Sequence, residues 1–295
     1  MQGINPETEI YHKKGDEYET FRPVYPPEFT EKIRKAPKTF DNYLDLAIGT
    51  GQVFFQIQDC FIGLVAGADI SDSMLDVAKR KAETLKSDSQ AKEFAFISGN
   101  CQKIDELLKQ QNIVKQFDLV TIGEAFHWFE MENLLKTLTN SVLKKDGTLA
   151  ILSYPTPTVE LNSENKELQD KVVQAYKDFF NSVSVYQKFN SSSLDIGYAD
   201  IPFEKYFTTL EKDTKLEKVP SSLKGITGHL GTWSMYNTYV EKHSKDEGYK
   251  DPLQVFEGVL ESVRAEAEKN GDLIDTSKSF LTVLSYQLIV AYNSI

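Results

Sequence analysis

The stretch Asn42–Gly51, NYLDLAIGTG, decides the fold of this chain. A short apolar run ends there in a Gly-x-Gly turn, and a segment with helical spacing of apolar residues follows at once. This order is typical of a strand, a tight loop and a helix. Gly49 and Gly51 have no Cβ, so a ligand can lie against bare backbone in the loop. The helix after Gly51 would point its free N–H groups toward that ligand.

Outward from this loop, short apolar runs alternate with segments of helical period. This alternation predicts a doubly wound, mostly parallel α/β sheet covered by helices on both faces. Ligands of such sheets bind beyond the carboxyl ends of the strands, where Gly49, Asp69, Asn100 and Glu124 fall. The predicted strands are Leu44–Ile48, Gly63–Ile70, Phe94–Ser98, Phe117–Gly123 and Thr148–Tyr154.

The alternation stops at Pro155, and the second half supplies the last strands and helical insertions. Tyr206–Val219 partly alternates and predicts an edge strand or a strand pair, and the apolar tail Phe280–Tyr292 predicts a buried final strand. The resulting division is an N-terminal arm or lid 1–30, a cofactor-binding core 31–154, a helical cap insertion 155–204, a core strand 205–219, a second helical cap insertion 220–276 and a final core strand 277–295.

Composition excludes several classes of function. The 295 residues carry 44 acids against 33 bases, a net charge of −11. No Lys/Arg stripe is present, so a nucleic-acid partner is not expected. No apolar run approaches the length of a membrane helix, and the first residues do not resemble a secretion signal. Cys60 and Cys101 form no disulfide framework, and no metal site is predicted, so we expect a cytoplasmic protein.

Two ligands compete for the glycine loop. A dinucleotide fingerprint requires a small third residue, and here that position is Phe54. S-adenosylmethionine requires an acid shortly before the glycines and another at the end of the second strand. Asp45 and Asp69 occupy those places, and a carboxylate at the second can accept both ribose hydroxyls. A sulfonium cation also suits an acidic, aromatic-lined cleft. The spacing favours S-adenosylmethionine.

These motifs together resemble the class I S-adenosylmethionine-dependent methyltransferases. Asp45–Gly51 is similar to the family's first motif, with Ala47 in the first glycine slot. The second-strand run Gly67–Leu75 and the fourth-strand runs Phe117–Val120 and Ala125–Phe129 are similar to further motifs. The resemblance implies a Rossmann-like methyltransferase fold with a seven-stranded sheet and helical caps.

A narrower resemblance points to the trans-aconitate methyltransferase-like subgroup, whose members methylate small acids. It is carried by Arg22–Pro26 near the N-terminus and by Thr232–Tyr236 in the late half. One residue departs from the family pattern, because Asn100 stands where Asp is usual. Its carbonyl oxygen can still accept a hydrogen bond from an adenine amino group.

The resemblance also implies a set of site residues. His127 and Trp128 are the candidate catalytic pair, and a structural aromatic cluster is an equally good interpretation of them. Trp128, Trp233 and Tyr236 are candidates for the acceptor pocket, or for packing inside the cap. The candidate cofactor-binding residues are Tyr18, Arg22, Tyr25, Asp45, Ala47, Gly49, Gly51, Asp69, Ile70, Met74, Asn100, Cys101, Gln102 and Glu124.

Several of these residues have a second interpretation. Asp45 can contact the methionine part of the cofactor or orient the loop, and Met74 is most simply a core residue. Arg22 can close over the cofactor or pair with a substrate carboxylate in bidentate fashion. The sequence does not decide between the two roles of Asp45, of Met74 or of Arg22.

The predicted reaction is O-methylation of a small-molecule carboxylate. Such a nucleophile is already ionised, so positioning matters more than a general base. The alternatives are methyl transfer to carbon, nitrogen or a phenol, with Glu124 or His127 as base, and a catalytically silent binding subunit. Neither the acceptor nor the oligomeric state follows from the sequence.

Overall fold

An eight-stranded sheet organises the protein. The computed structural model describes residues 19–85, 93–189, 191–273 and 275–293. The strands, in chain order, are β1 Tyr43–Leu46, β2 Leu64–Asp69, β3 Glu93–Ser98, β4 Phe117–Gly123, β5 Leu143–Ser153, β6 Thr158–Leu161, β7 Thr209–Ser221 and β8 Phe280–Tyr292.

The first five strands are parallel and lie in the order β3-β2-β1-β4-β5. The chain starts near the middle of the sheet, moves outward to β3 and then crosses back to β4. The loops after β1 and β4 therefore lead in opposite directions. They leave a crevice at the carboxyl ends of these two strands. The predicted doubly wound α/β fold is confirmed, and its topology fixes where a ligand site is expected.

The strand β8 is antiparallel and completes the sheet. It pairs with β5 through residues 287–292, with β6 through residues 280–283, and with β7 along its whole length. The sheet thus has one strand more than the predicted seven. The additional strand is β6, which lies in the segment 155–204 predicted as helical. The strand β8 extends beyond the residues that pair with β5. Backbone groups of this extension pair with β6 instead.

Helices cover both faces of the sheet. Side chains of α1, α2 and α3 pack on one face, and those of α4, α5 and α7 pack on the other. The helices are α1 Pro27–Lys35, α2 Phe54–Ile57, α3 Asp72–Leu85, α4 Ile104–Gln110, α5 Met131–Thr137, α6 Lys166–Ser184, α7 Ser191–Asp195, α8 Leu223–Gly231, α9 Ser234–His243 and α10 Pro252–Asn270.

The remaining helices, α6, α8, α9 and α10, form a separate apolar cluster. Phe179 of α6 stacks on Phe256 of α10, with ring centroids 5.7 Å apart, and also meets Trp233. The two segments predicted as cap insertions therefore share one core, and we retain their boundaries as a proposal. In the described part of the chain, every helix is too short or too polar to traverse a bilayer.

Candidate functional site

The loop after β1 turns sharply through three residues with positive φ. Ala47, Gly49 and Gly51 have φ of 53°, 56° and 87°. Ala47 is thus an L residue in a left-handed conformation, at the slot where the family motif has glycine. A Cβ on Gly51 would lie 2.3 Å from the Phe55 ring, whereas a Cβ on Gly49 would meet no atom within 4 Å. Gly51 is required for packing, and Gly49 opens one face of the loop to a ligand.

Asp69, at the end of β2, holds this loop in place. Its carboxylate accepts hydrogen bonds from the Gly49 N–H and the Ser71 N–H, each at 2.8 Å. The side chain is buried. The two bonds link the glycine loop to the start of α3, because one carboxylate can accept several donors. Asp69 therefore shapes the loop in addition to any contact with a ligand.

A buried hydrogen-bond chain lies beneath the loop. Thr121 Oγ1 donates to Asp45 Oδ1 at 2.7 Å, and the Tyr43 hydroxyl lies 2.7 Å from the same Thr121 oxygen. Burial raises the pKa of Asp45 to about 7, and the neighbouring Asp69 charge adds to that rise. The carboxyl of Asp45 is held by the core on one side and faces the crevice on the other, where it lines a cavity.

Glu124 begins the loop after β4 in a strained conformation. Its φ is 51°, in the region that glycine usually occupies. Its Oε2 accepts a hydrogen bond from the Tyr154 N–H at 3.0 Å. Burial raises the pKa of Glu124 to about 8, although the nearby Arg22 charge opposes that rise. Strain of this kind concentrates at functional sites, and Glu124 faces the crevice between β1 and β4.

Two cavities meet at this crevice. The glycine-loop cavity lies against the turn after β1, and the aromatic cavity lies between the core and the cap. Glu124 and Tyr154 line both. The glycine-loop cavity is lined by Tyr25, Asp45, Ala47, Ile48, Gly49, Thr50, Gln52, Val53, Gly123, Glu124 and Tyr154. The aromatic cavity is lined by Arg22, Glu124, His127, Trp128, Tyr154, Pro155, Thr156, Pro157, Phe189, Leu194, Trp233, Ser234 and Met235.

The described part of the N-terminal arm passes across both cavities. Arg22 Nη1 donates to the Tyr154 hydroxyl at 3.2 Å, and Tyr25 packs against Tyr154 with ring centroids 6.3 Å apart. The carbonyl of Phe21 lies 3.2 Å from Nδ1 of His229 on α8. The arm is thereby held by the sheet and by the cap together. Of the described residues that line the aromatic cavity, Arg22 alone carries a permanent positive charge.

His127 and Trp128 form part of the cavity wall. Burial lowers the pKa of His127 to about 3, so the ring is neutral at pH 7. Its Nδ1 lies 3.2 Å from the Tyr198 hydroxyl. Phe189 packs against both residues, at 4.4 Å from His127 and 5.0 Å from Trp128 between ring centroids. These contacts are compatible with both interpretations from the sequence, because His127 and Trp128 line the cavity and also pack in an aromatic cluster.

Other predicted residues surround the crevice without lining either cavity. Met74 and Cys101 are buried in the core, and Ile70 is exposed. Asn100 caps the turn that follows β3, where its Oδ1 accepts the Gln102 N–H. The side chain of Gln102 accepts the Glu130 N–H at 2.9 Å. The prediction for Tyr18 lies outside the described residues.

Tyr236 is not among the residues that line the aromatic cavity, and its place in the acceptor pocket stays a prediction. Its hydroxyl donates to Asp251 Oδ2 at 2.9 Å, at the N-terminus of α10. This bond gives it a role in cap packing. Trp233, its neighbour in the motif, does line the cavity.

Tyr154 is one of the cavity residues that the sequence interpretation missed. It lines both cavities and contacts Arg22, Glu124 and Tyr25. It directly follows β5, so the rule that favours strand ends also points to it. Phe189 and Leu194 come from a segment without clear periodicity, and no sequence signal places them at the cavity.

The chain is similar to several known methyltransferases. A family model described as "Methyltransferase domain" matches residues 38–209, which is more than half of the chain. The uncharacterized methyltransferase C25B8.09 of Schizosaccharomyces pombe is 31% identical over 138 residues, which cover 46% of this chain and 49% of that protein. A demethylmenaquinone methyltransferase of Thermus thermophilus is 34% identical over 127 residues, 42% of this chain and 51% of that protein. The chain thus spans about half the length of these curated relatives.

A solved structure has the same fold. It is described as a type II methyltransferase from Anaeromyxobacter dehalogenans, and it superposes with a TM-score of 0.59. The identity is 16%, and the match covers 92% of this chain and 98% of that one. At this identity the likeness shows the fold alone.

Proposed function

The chain belongs to the methyltransferase-domain family, and from that premise we propose that it is an S-adenosylmethionine-dependent enzyme that methylates a carboxylate of a small molecule. One observation carries the proposal: the glycine-loop cavity and the aromatic cavity share Glu124 and Tyr154. A donor in the first and an acceptor in the second would meet at those residues. The narrower resemblance to trans-aconitate methyltransferases is consistent with an acidic acceptor.

The residues of the glycine-loop cavity fit S-adenosylmethionine. Gly49 leaves open space where a side chain would project, and Thr50 Oγ1 is buried without a hydrogen-bond partner among the described residues. Asp45 and Asp69 supply carboxyl groups next to a ligand that carries a cation. Tyr25 would cover it from the arm. When bound, the cofactor supplies an activated methyl group.

The aromatic cavity fits an apolar acid. Arg22 supplies the positive charge, because His127 is neutral at pH 7. Trp128, Phe189 and Trp233 supply apolar surface. A guanidinium pairs well with a carboxylate, which needs no base because it is already ionised. The contribution of the chain is then to orient the acceptor and to exclude water.

A phenol or carbon acid is the second candidate acceptor. Burial raises the pKa of Glu124 to about 8, which lies within the range of a general base. The relative from Thermus thermophilus is named for such an acceptor, a demethylmenaquinone. In this version Glu124 would take the proton of the acceptor, and a substitution by glutamine would abolish turnover.

The function is tested in two steps. Calorimetric titration with S-adenosylmethionine should give saturable binding, and its absence at millimolar cofactor would reject both candidates. The enzyme should then be incubated with the cofactor and a panel of small carboxylic acids, phenols and amines. Mass spectrometry should detect a methyl ester, which a carboxylate acceptor yields. Methylated phenol or carbon products without esters would favour the second candidate.

Substitutions in the glycine loop separate cofactor binding from folding. Gly49→Ala should weaken cofactor binding by at least tenfold, because its methyl group would occupy the open face of the loop. The positive φ should cost only about 1 kcal/mol of stability. Gly51→Ala should instead destabilise the fold by roughly 2–4 kcal/mol, because its Cβ would overlap the Phe55 ring. Calorimetry and thermal denaturation measure the two effects.

The control for this pair is Gly248→Ala. Gly248 also has a positive φ, 75°, and a Cβ added there would meet no atom within 4 Å. It lies between α9 and α10. It should reproduce the modest loss of stability without affecting the cofactor. Equal cofactor affinity in Gly49→Ala and Gly248→Ala would contradict the placement of the ligand on the loop.

A further inference from the structure

Glu124 occupies the point where the two cavities join. It is the residue after β4, and the left-handed conformation of its backbone turns the chain into the crevice. The Tyr154 N–H holds one of its carboxyl oxygens, Oε2, at 3.0 Å. Because non-glycine residues rarely adopt this conformation, the surrounding structure must stabilise it. The position is one at which a side chain would touch an acceptor molecule.

The groups that face Glu124 come from several elements. Beside Glu124 lie Arg22 of the arm, Asp45 of β1, His127 of the same loop, Tyr154 after β5, Tyr198 of the segment after α7, and Tyr286 of β8. Burial raises the pKa of Asp45 to about 7, so its charge also changes near neutral pH. The pKa values of Tyr198 and Tyr286 are raised, first by burial and then by neighbouring carboxyl groups that include Glu124. His127 is neutral at pH 7, because its pKa is lowered to about 3. The charge of Arg22 is therefore the one opposite charge that these groups offer Glu124.

The carboxyl of Glu124 keeps its proton at neutral pH. Burial raises its pKa to about 8, since the ionised form is poorly solvated in this position. Since Oε2 accepts the Tyr154 N–H, the proton of the neutral carboxyl resides on Oε1. A neutral carboxylic acid can donate a hydrogen bond to an anion. An ionised Glu124 would instead repel a carboxylate.

We propose that protonated Glu124 donates a hydrogen bond to the carboxylate of the acceptor, alongside Arg22. This inference rests on the proposed function and adds a specificity determinant to it. Arg22 and Glu124, which both line the aromatic cavity, then form a pair of donors. The pair selects an ionised acid over its amide or ester, because those analogues lack the charge that both donors recognise. It also makes the affinity for acids dependent on pH.

The sign of that dependence follows from the groups involved. Below pH 8 Glu124 is protonated and the acid binds. As the pH rises through 8, Glu124 must either ionise beside the bound carboxylate or keep its proton at a cost in free energy, so the affinity falls. Arg22 does not titrate in this range. A neutral ligand of the same shape should show no such fall.

The test uses the full chain saturated with S-adenosylhomocysteine and two matched probes, phenylacetate and phenylacetamide. Trans-aconitate serves as a second acid. Calorimetry at pH 7 and pH 9.5 should show that the acids bind about tenfold more weakly at the higher pH. The amide should bind weakly and equally at both values. Glu124→Gln, which keeps a donor but cannot ionise, should bind the acids with a dissociation constant that changes less than about twofold between the two pH values.

Three results would overturn the inference. The first is a fall in affinity at high pH that persists in Glu124→Gln. The second is loss of acid binding in Glu124→Gln at pH 7 while Glu124→Ala binds normally. The third is failure of every acid to bind to protein that still binds S-adenosylhomocysteine. Since the cofactor titration is separate, the third result rejects the role of Arg22 and Glu124 as donors to an acid. It leaves the assignment of the cofactor intact.

Discussion

Replacing Asp69 with alanine is expected to weaken the binding of S-adenosylmethionine by one to two powers of ten. Asp69 accepts the N–H groups of Gly49 and Ser71, each at 2.8 Å, so its loss leaves one donor of the glycine loop and one donor before α3 without their partner. Hydrogen bonds to a charged group contribute about 1.5–3 kcal/mol each. The ribose contact predicted from the motif would be lost as well. Titration calorimetry measures the change in affinity, and thermal denaturation measures the accompanying loss of stability.

The matched control is Asp72→Ala, three residues later at the start of α3. Asp72 is exposed and accepts a hydrogen bond from the Ser98 hydroxyl. Its loss should change cofactor affinity by less than about twofold, because bonds of exposed groups contribute little. Asp69→Asn should lie between the two variants, because one acceptor oxygen remains. An unchanged dissociation constant in Asp69→Ala would show that the loop does not bind the cofactor.

Replacing Arg22 with glutamine is expected to raise the KM for a carboxylate acceptor by roughly 30- to 1000-fold. Arg22 lies in the wall of the aromatic cavity, where its guanidinium donates to the Tyr154 hydroxyl at 3.2 Å. Truncation of one partner of a buried charge pair costs about 2–4 kcal/mol. Steady-state kinetics with the best acid from the screen measures the effect. Cofactor affinity should fall less, because Arg22 does not line the glycine-loop cavity.

Three further variants serve as comparisons for Arg22→Gln. Arg34→Gln removes an arginine that pairs with Asp59 on the surface, so KM should not change. Arg22→Lys keeps the charge but loses the planar fork, so its KM should be intermediate. Tyr154→Phe keeps the ring and removes the hydroxyl that holds Arg22, which should raise KM by about threefold to tenfold. Normal KM in Arg22→Gln would exclude an arginine-bound carboxylate and favour the phenol or carbon acceptor.

The central strands were predictable because their signals are local. The run from Tyr43 to Gly51 contains a buried strand and the turn that ends it, and each of those is encoded by adjacent residues. The final strand, Phe280–Tyr292, was predicted with the bounds that the structure gives it. The strand β6 was not predicted, because it is as short as β1 and no Gly-x-Gly turn follows it to mark its end. That strand exists because β8 offers it backbone partners.

The candidate site residues at the strand ends follow from a general rule, whereas the others were predicted only from resemblance to family motifs. Gly49, Asp69 and Glu124 follow from the rule that parallel strands bring their carboxyl ends to one edge. Arg22, by contrast, is 132 residues from Tyr154, its hydrogen-bond partner. Tyr236 and Gln102 have partners, Asp251 and Glu130, that no periodicity reveals. Contacts between distant segments depend on how the helices pack, and a single sequence does not state that packing.

The sequence by itself determined the central strands, the glycine loop and the acids around it, since these depend on hydrophobic period and turn chemistry within short stretches. The tertiary structure alone decided that the aromatic cavity joins the glycine-loop cavity at Glu124 and Tyr154. It also decided the raised pKa of Glu124, because burial sets the cost of a charge and burial is a property of the assembled fold. The glycine loop could be predicted from the order of the residues, but its neighbours were decided by packing.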